Sequence, residues 1–446
     1  MPQKKIAIIG GGVAGISAAV CAIDAGWKPL LIERTSQLGG RVKSVFAKDA
    51  GYSIDNGQHV LSASYRETIS LLTTLNTINK IHFQDRLTIQ YFLSAQRRFL
   101  FKTWPLPAPF HFLLPLWFLA PITRRDKRFI RRWARIYRKL TPRQLKSMTV
   151  REWLEEAGDS DTLEKMLWEP ITLATLNTSL EHASAYLLKQ VLDNAFLGTA
   201  KNSGLGIPDA LLGDIFGTPA EKYISEKGGE ILYNTAITKL HHTGNRFQAI
   251  ETKNGEKHSA DVYVSAVPPN GLDRLVSSNS DIATQLKGDF NEFQYSPIIT
   301  INLWVKEGIE TEFPAAFIDS PIQWMFPFPA ASRPDEGFAY TVVLSAADRE
   351  AGLTNEALLA LVDREIGYFF GKSLRSGYGL QAWKIVREKT ATFLQTPESL
   401  RLRPETRTDF SNFYLAGDWI NTDLPATIEG AVLSGRMAVD AALADE

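Results

Sequence analysis

Ile6-Ala7-Ile8-Ile9-Gly10-Gly11-Gly12-Val13-Ala14-Gly15 is an apolar run that breaks into glycine, and Pro29-Leu30-Leu31-Ile32 is a second apolar run closed by Glu33. The spacing predicts strand, turn, helix and strand in succession. Gly10 permits the tight turn, Gly12 lets the backbone approach a pyrophosphate, and Gly15 lets the helix lie against the strand. The free N–H groups at the helix start, at Val13 and Ala14, bring the positive end of the helix to that pyrophosphate. Glu33 ends the second strand with an acid suited to a ribose diol, and it would repel a 2′-phosphate. The stretch predicts a dinucleotide site that disfavours NADP.

Past Glu33, Arg34 leads to a second glycine pair and an arginine, Gly39-Gly40-Arg41. Near the other end, Phe413-Tyr414-Leu415-Ala416-Gly417-Asp418 is again a short apolar strand ending in glycine and acid. Pro425-Ala426-Thr427-Ile428-Glu429-Gly430-Ala431 then opens a helix of small residues through Ser434, Gly435 and Ala438. On these motifs the chain resembles the FAD-binding fold shared by monoamine oxidases, protoporphyrinogen oxidase and phytoene desaturases. The resemblance implies FAD as cofactor. It places Arg34, Gly40 and Arg41 in the binding set, Gly417-Asp418 at the ribitol phosphate, and Thr427-Ile428 against the pyrimidine end of the flavin. It also places backbone at Ala236-Ile237 on the adenine and brings Gly57-Gln58-His59 to the flavin. A helix start at the pyrimidine end suits the negative charge of a reduced flavin. The implied fold class is α/β: a discontinuous Rossmann-like FAD-binding domain with an inserted α+β substrate domain, amine oxidase- or phytoene desaturase-like.

The 446 residues suffice for two domains with substantial cores. Lysine plus arginine balance aspartate plus glutamate at 49 each, which argues against nucleic acid as a partner. The single cysteine, Cys21, falls in the first helix, so neither a disulfide framework nor a cysteine-based metal site is expected, and no metal is assigned. Only Met1-Pro2-Gln3-Lys4-Lys5 precedes the first strand, which leads us to expect a cytoplasmic enzyme with no removable signal. The expected organisation is FAD-binding domain over 1–75, 216–270 and 406–446, with the substrate domain over 76–215 and 271–405. Within the middle FAD segment, strands are predicted at Glu230–Tyr233 and Ala236–Leu240. A hairpin about Asn254-Gly255 and a buried strand at Asp261–Ala266 are predicted after them.

Trp104 to Ile122 carries no charge and is rich in Leu, Phe and Trp, yet five prolines argue against a continuous spanning helix. The stretch after it is strongly basic. Phe129, Trp133, Ile136 and Leu140 share one helical face, with Ile130 and Tyr137 beside it and arginines around the rest. That pattern predicts a helix lying in an anionic membrane surface, with residues 104–140 as the contact. Peripheral attachment to the inner face of the cell membrane is the corresponding expectation.

Middle patterns narrow the resemblance. Asp55-Asn56-Gly57-Gln58-His59-Val60, Trp168-Glu169-Pro170, Leu173-Ala174-Thr175-Leu176-Asn177-Thr178 and Gln323-Trp324-Met325-Phe326 are similar to those of the squalene-associated FAD-dependent desaturase group, the hydroxysqualene dehydroxylases. The resemblance implies reduction of an allylic C–OH to C–H on a C30 isoprenoid, in squalene and hopanoid synthesis. Such chemistry needs a dry apolar channel, aromatic faces near a cation and one acid. Trp168, Trp304, Trp324, Phe326 and Phe328 are the candidate channel walls. His59 and Glu169 are the candidate acids, the first because imidazole titrates near neutrality and the second because burial would keep it protonated. A carotenoid-type desaturase is the alternative within flavoenzymes, and a flavin-free prenyl carrier like the Rab GDP-dissociation inhibitors is the alternative outside them. No second dinucleotide fingerprint is visible, so a separate electron donor is expected.

Overall fold

Lys5–Ile9 and Lys28–Ile32 pair in parallel because the helix between them, Val13–Asp24, returns the chain over one face of the sheet. The computed structural model describes residues 3–48, 50–277, 280–286, 288–311, 314–329 and 337–445. Five parallel strands lie in the order Glu230–Leu232, Lys28–Ile32, Lys5–Ile9, Val262–Ser265 and Phe413–Leu415. One sheet is thus assembled from three distant stretches of chain. Its central strand is covered on both faces, which is why Ile6, Ala7 and Ile8 are all apolar and fully buried.

Val13–Asp24 shares its face of the sheet with the last helix, Ile428–Ala444. Ser17 Oγ donates to the Val432 carbonyl at 2.7 Å. A Cβ on Gly435 would stand 2.2 Å from the Ala14 carbonyl oxygen, so the two helices meet backbone to backbone where only glycine fits. The opposite face carries the three-stranded sheet Ile237–Thr243, Arg246–Thr252 and Lys257–His258, with Phe247, Ile250, Tyr263 and Phe413 between the layers.

A second sheet has seven strands: Leu380–Phe393, Tyr295–Val305, Phe338–Ser345, Trp324–Pro327, Ala315–Phe317, Thr88–Ser94 and Arg97–Lys102, in that spatial order. The 76–215 stretch therefore supplies two strands of a sheet completed some two hundred residues later. Tyr295–Val305 shows how this sheet divides space. Ile299, Ile301, Leu303 and Val305 pack on one side against Leu358, Val362 and Ile366 of the helix Asn355–Phe370. Ile298 and Thr300 face the other way, into a cavity.

The prolines of 104–122 limit helix there to Phe110–Phe118, and no described helix is long and apolar enough to cross a membrane. The basic stretch forms the helix Arg124–Tyr137, capped by Thr123 with Asp126 reciprocating. Its apolar face does not lie free for a bilayer. Phe129, Ile130 and Trp133 are buried in the protein core, with Ile136, Tyr137 and Leu140 packed against it. Trp133 contacts both Trp153 and Trp168, at ring separations of 5.7 and 4.8 Å. The amphipathic pattern is satisfied inside the molecule, and only the cationic face is exposed.

Candidate functional site

The glycine loop builds an anion cradle. Gly10 adopts φ +108° and donates to the Ile32 carbonyl at 2.8 Å. Gly12 caps the first helix with no side-chain hydrogen bond, and a Cβ there would meet nothing within 4 Å. The N–H groups of Val13 and Ala14 thus open onto free space, which is where a pyrophosphate fits. Gly15 plays a different part and does not line the cavity. Its Cβ would stand 1.9 Å from the Gly10 carbonyl oxygen, so its role is helix-to-turn packing. Glu33 is buried, and its carboxylate accepts from Gly11 N, Thr35 N and Thr35 Oγ, each at 2.8 Å. Those bonds fix the acid at the strand end, beside Arg34 on the cavity wall.

Gly39 N donates to the Gly11 carbonyl at 2.8 Å, and a Cβ on Gly40 would come within 3.0 Å of Gly12 Cα. The second glycine pair is therefore laid on the first loop. Next to it Arg41 spans to the far end of the chain, with Nη2 2.7 Å from Asp418 Oδ1 and Nη1 donating to the Ala391 carbonyl at 2.8 Å. Gly417 N donates to Ser434 Oγ at 2.7 Å, which ties the C-terminal strand end to the last helix. Thr427 caps that helix and Ile428 begins it, and both line the cavity, as do Ala236 and Ile237 from the outer sheet. The uncapped helix start, open Gly12, buried Glu33 at the strand end and paired Arg41–Asp418 together fit FAD.

Three buried polar residues brace the loops around the cradle and the channel. Arg403 donates to the carbonyls of Ile420 and Leu424, shaping the loop before the last helix, and burial lowers its pKa to about 10. Gln395 accepts from Ala426 N at 2.7 Å and donates to the Leu176 carbonyl at 2.9 Å. Asn177, at φ 47°, donates to the Ser296 carbonyl and Thr392 Oγ and accepts from Ala346 N. Each is a polar side chain between loops, and no local pattern marks such a role.

From the cradle a single cavity of ≈ 1200 Å³ continues past Gly57, Gln58 and His59 into an apolar channel. Leu87, Ile89, Phe101, Phe112, Leu116, Trp324 and Phe326 are among its walls. Leu167, Pro170, Ile171 and Ala174 add one helical stripe. That stripe decides the fate of two sequence candidates. Trp168 and Glu169 fall off it: Trp168 packs against Trp133 in the core, and Glu169 is exposed to solvent outside the channel. Partial desolvation and the neighbouring Asp319, Glu164 and Glu181 raise the Glu169 pKa, but Glu169 does not line the cavity. Trp304 and Phe328 are also corrected. Their rings meet tilted at 5.6 Å, with Trp304 stacked on Tyr52 at 4.9 Å, beneath the hairpin Ser44–Ala47 and Tyr52–Asp55. Of the five aromatic candidates, Trp324 and Phe326 reach the cavity.

His59 does line the cavity, but not as a stored acid. Its Nδ1 lies 3.0 Å from the Gly57 carbonyl oxygen, and burial together with the charge of Arg41 holds its pKa below the usual value. At neutral pH the ring is therefore neutral.

The comparisons agree with this geometry. The sequence pattern of the family described as flavin containing amine oxidoreductase matches residues 13–443. A hydroxysqualene dehydroxylase of Rhodopseudomonas palustris is 29% identical, over 99% of each chain. A 15-cis-phytoene desaturase of Synechococcus elongatus is 24% identical, over 99% of this chain and 96% of its own. Among solved structures, an oxidoreductase from Methanosarcina mazei superposes with a TM-score of 0.76 at 15% identity, over 98% of this chain and 100% of its own. The chain belongs to the flavin containing amine oxidoreductases: it is an FAD-dependent oxidoreductase, and its full-length relatives include the hydroxysqualene dehydroxylases.

Proposed function

We propose that the protein reductively dehydroxylates hydroxysqualene to squalene. The observation that carries this reading is the continuity of the FAD cradle with a long apolar channel in one cavity. When bound and reduced, FAD would supply the hydride: the allylic C–O bond breaks, the oxygen takes up a proton from solvent and leaves as water, and a C–H bond forms at the same carbon. The chain provides the setting. Apolar walls keep bulk water from a delocalised carbocation, and Trp324 and Phe326 offer π-faces to its charge. The proton is not stored on His59 or Glu169, since the first is neutral and the second lies outside the channel.

The substrate is a membrane lipid, and the helix Phe110–Phe118 suits its delivery. Phe112 and Leu116 line the channel, while Phe110 and Phe118 are exposed on the other side with Trp104 stacked on Phe118 at 5.8 Å. Lys127 and Arg131 lie 5.2 and 5.0 Å from the Trp117 ring, flanking this aromatic rim with cations. Aromatic rim and exposed basic face together fit the anionic inner surface of the cell membrane. The protein is expected to sediment with anionic liposomes and to be released by high salt or by charge reversal at Arg131, Arg132 and Arg135. Equal partitioning with and without lipid would remove the membrane reading.

A desaturase acting on a carotenoid precursor could use the same cavity, and the phytoene desaturase relative makes it the alternative to test. Purified protein with a chemical reductant and hydroxysqualene should yield squalene on lipid analysis. Conversion of phytoene by oxidised protein, with hydroxysqualene untouched, would reverse the assignment. A reductase or reduced nicotinamide from outside the chain completes the cycle.

A further inference from the structure

A row of cross-strand partners runs along the channel, and all of it but Ala316 lines the cavity. Thr300 pairs with Val343, Val343 with Trp324, Trp324 with Ala316, and Ala316 with Tyr91. Directly paired residues project from the same face, and four strand spacings make this row about 19 Å long. Val343, Trp324 and Ala316 along its middle offer no oxygen to a ligand. Thr300, at the flavin end, does. It is 2% exposed, lines the cavity, and its Oγ has no hydrogen bond among the described residues. That hydroxyl opens on the cavity, where a ligand can partner it.

A second polar group converges there. A Cβ built on Gly57 would lie 3.8 Å from Thr300 Oγ and 3.8 Å from His59 Cε1, so hydroxyl and imidazole edge flank one point of the wall. His59 Nδ1 faces the Gly57 carbonyl, which only accepts, so Nδ1 carries the hydrogen and Nε2 presents a lone pair. A hydroxyl donor near an imidazole with an acceptor nitrogen matches an alcohol, which accepts one hydrogen bond and donates another. A hydrocarbon matches neither.

We propose that Thr300 Oγ and His59 Nε2 form a two-point seat for the hydroxyl of an isoprenoid alcohol at the flavin end of the channel, Thr300 donating to its oxygen and His59 accepting its hydrogen. The seat rests on the reading of the channel as one for a C30 alcohol, and makes Thr300 its specificity-determining residue. It selects a hydroxylated chain over a hydrocarbon of equal length, because a site built for a hydroxyl is left unpaired by a ligand lacking one.

The test compares equilibrium binding of hydroxysqualene and squalene to the oxidised, FAD-loaded protein in detergent, read as perturbation of the flavin absorbance. Wild type should prefer the alcohol about tenfold. Thr300→Val should lose that preference while keeping its squalene affinity and FAD content, and Thr300→Ser should retain the preference. An unchanged preference in Thr300→Val would overturn the seat. So would a fall in FAD affinity with the preference intact, since the hydroxyl would then belong to the cofactor. Wild type that binds neither lipid would bring down the reading of the channel itself, and the seat with it.

Discussion

The two halves of the molecule are specified over different distances. The pyrophosphate end of the FAD cradle is set by short sequence: Gly10, Gly12 and Gly15 act within one turn of chain, and Glu33 is fixed by Gly11 and Thr35 close by. The channel is set by register between strands far apart in sequence, with Thr300, Trp324 and Tyr91 brought into one row by pairings across the sheet. A cradle of the first kind tolerates almost no change at a few backbone positions. A channel of the second kind tolerates change at many positions and depends on where each side chain falls along its strand.

The sharpest way to break that contrast is Gly15→Ala. The added methyl would lie 1.9 Å from a backbone oxygen that has no room to move, so folded flavoprotein should be lost and the purified protein should lack the flavin bands. A yellow, normally soluble variant would show that the turn is not tightly specified. Trp304→Ala and Trp324→Ala then test the second half. Both tryptophans sit in one sheet, but Trp304 is fully buried beneath a hairpin and Trp324 lines the channel. Loss of Trp304 should destabilise the fold by about 3–5 kcal/mol in denaturant titration. Loss of Trp324 should keep FAD and most of the stability while lowering kcat/KM for the lipid about tenfold, or about 1.4 kcal/mol. Equal effects of the two substitutions on turnover would erase the distinction.

The smallest effect concerns the seam between the halves. Asp55 accepts from Ser44 Oγ at 2.6 Å and Leu212 N at 2.9 Å, and burial outweighs those bonds, raising its pKa from 3.8 to about 6. The folded state therefore holds this proton more tightly than the unfolded chain. The resulting stability is fully present below pH 3.8 and is lost as pH rises through about 6. The melting temperature of Asp55→Asn relative to wild type should rise between pH 4 and pH 7. Parallel melting curves across that range would remove Asp55 from the account.

The same contrast explains what the sequence made legible. Strand, turn, helix and acid at the N-terminus, and Gly417-Asp418 with Thr427 at the C-terminus, could be read because glycine spacing and strand ends are local signals. Trp304 and Trp324 are equally aromatic and equally strand-like. Trp304 even shares a face with Thr300, but it lies further along the strand, where Tyr52 covers it. The apolar face of the basic helix is ambiguous for a related reason: it reads the same whether it meets lipid or Trp153 and Trp168. Thr300 carries no local mark at all. Its hydroxyl gains meaning only when Gly57, more than two hundred residues earlier, is folded beside it.

The central claim, that a C30 alcohol reaches the bound flavin through this channel, is tested most directly by one anaerobic single turnover. Photoreduced protein is mixed with hydroxysqualene, and flavin reoxidation is followed alongside squalene formation. The account predicts reoxidation at the rate of squalene appearance, one squalene for each flavin. A flavin that stays reduced beside the alcohol, with no squalene formed, would contradict it.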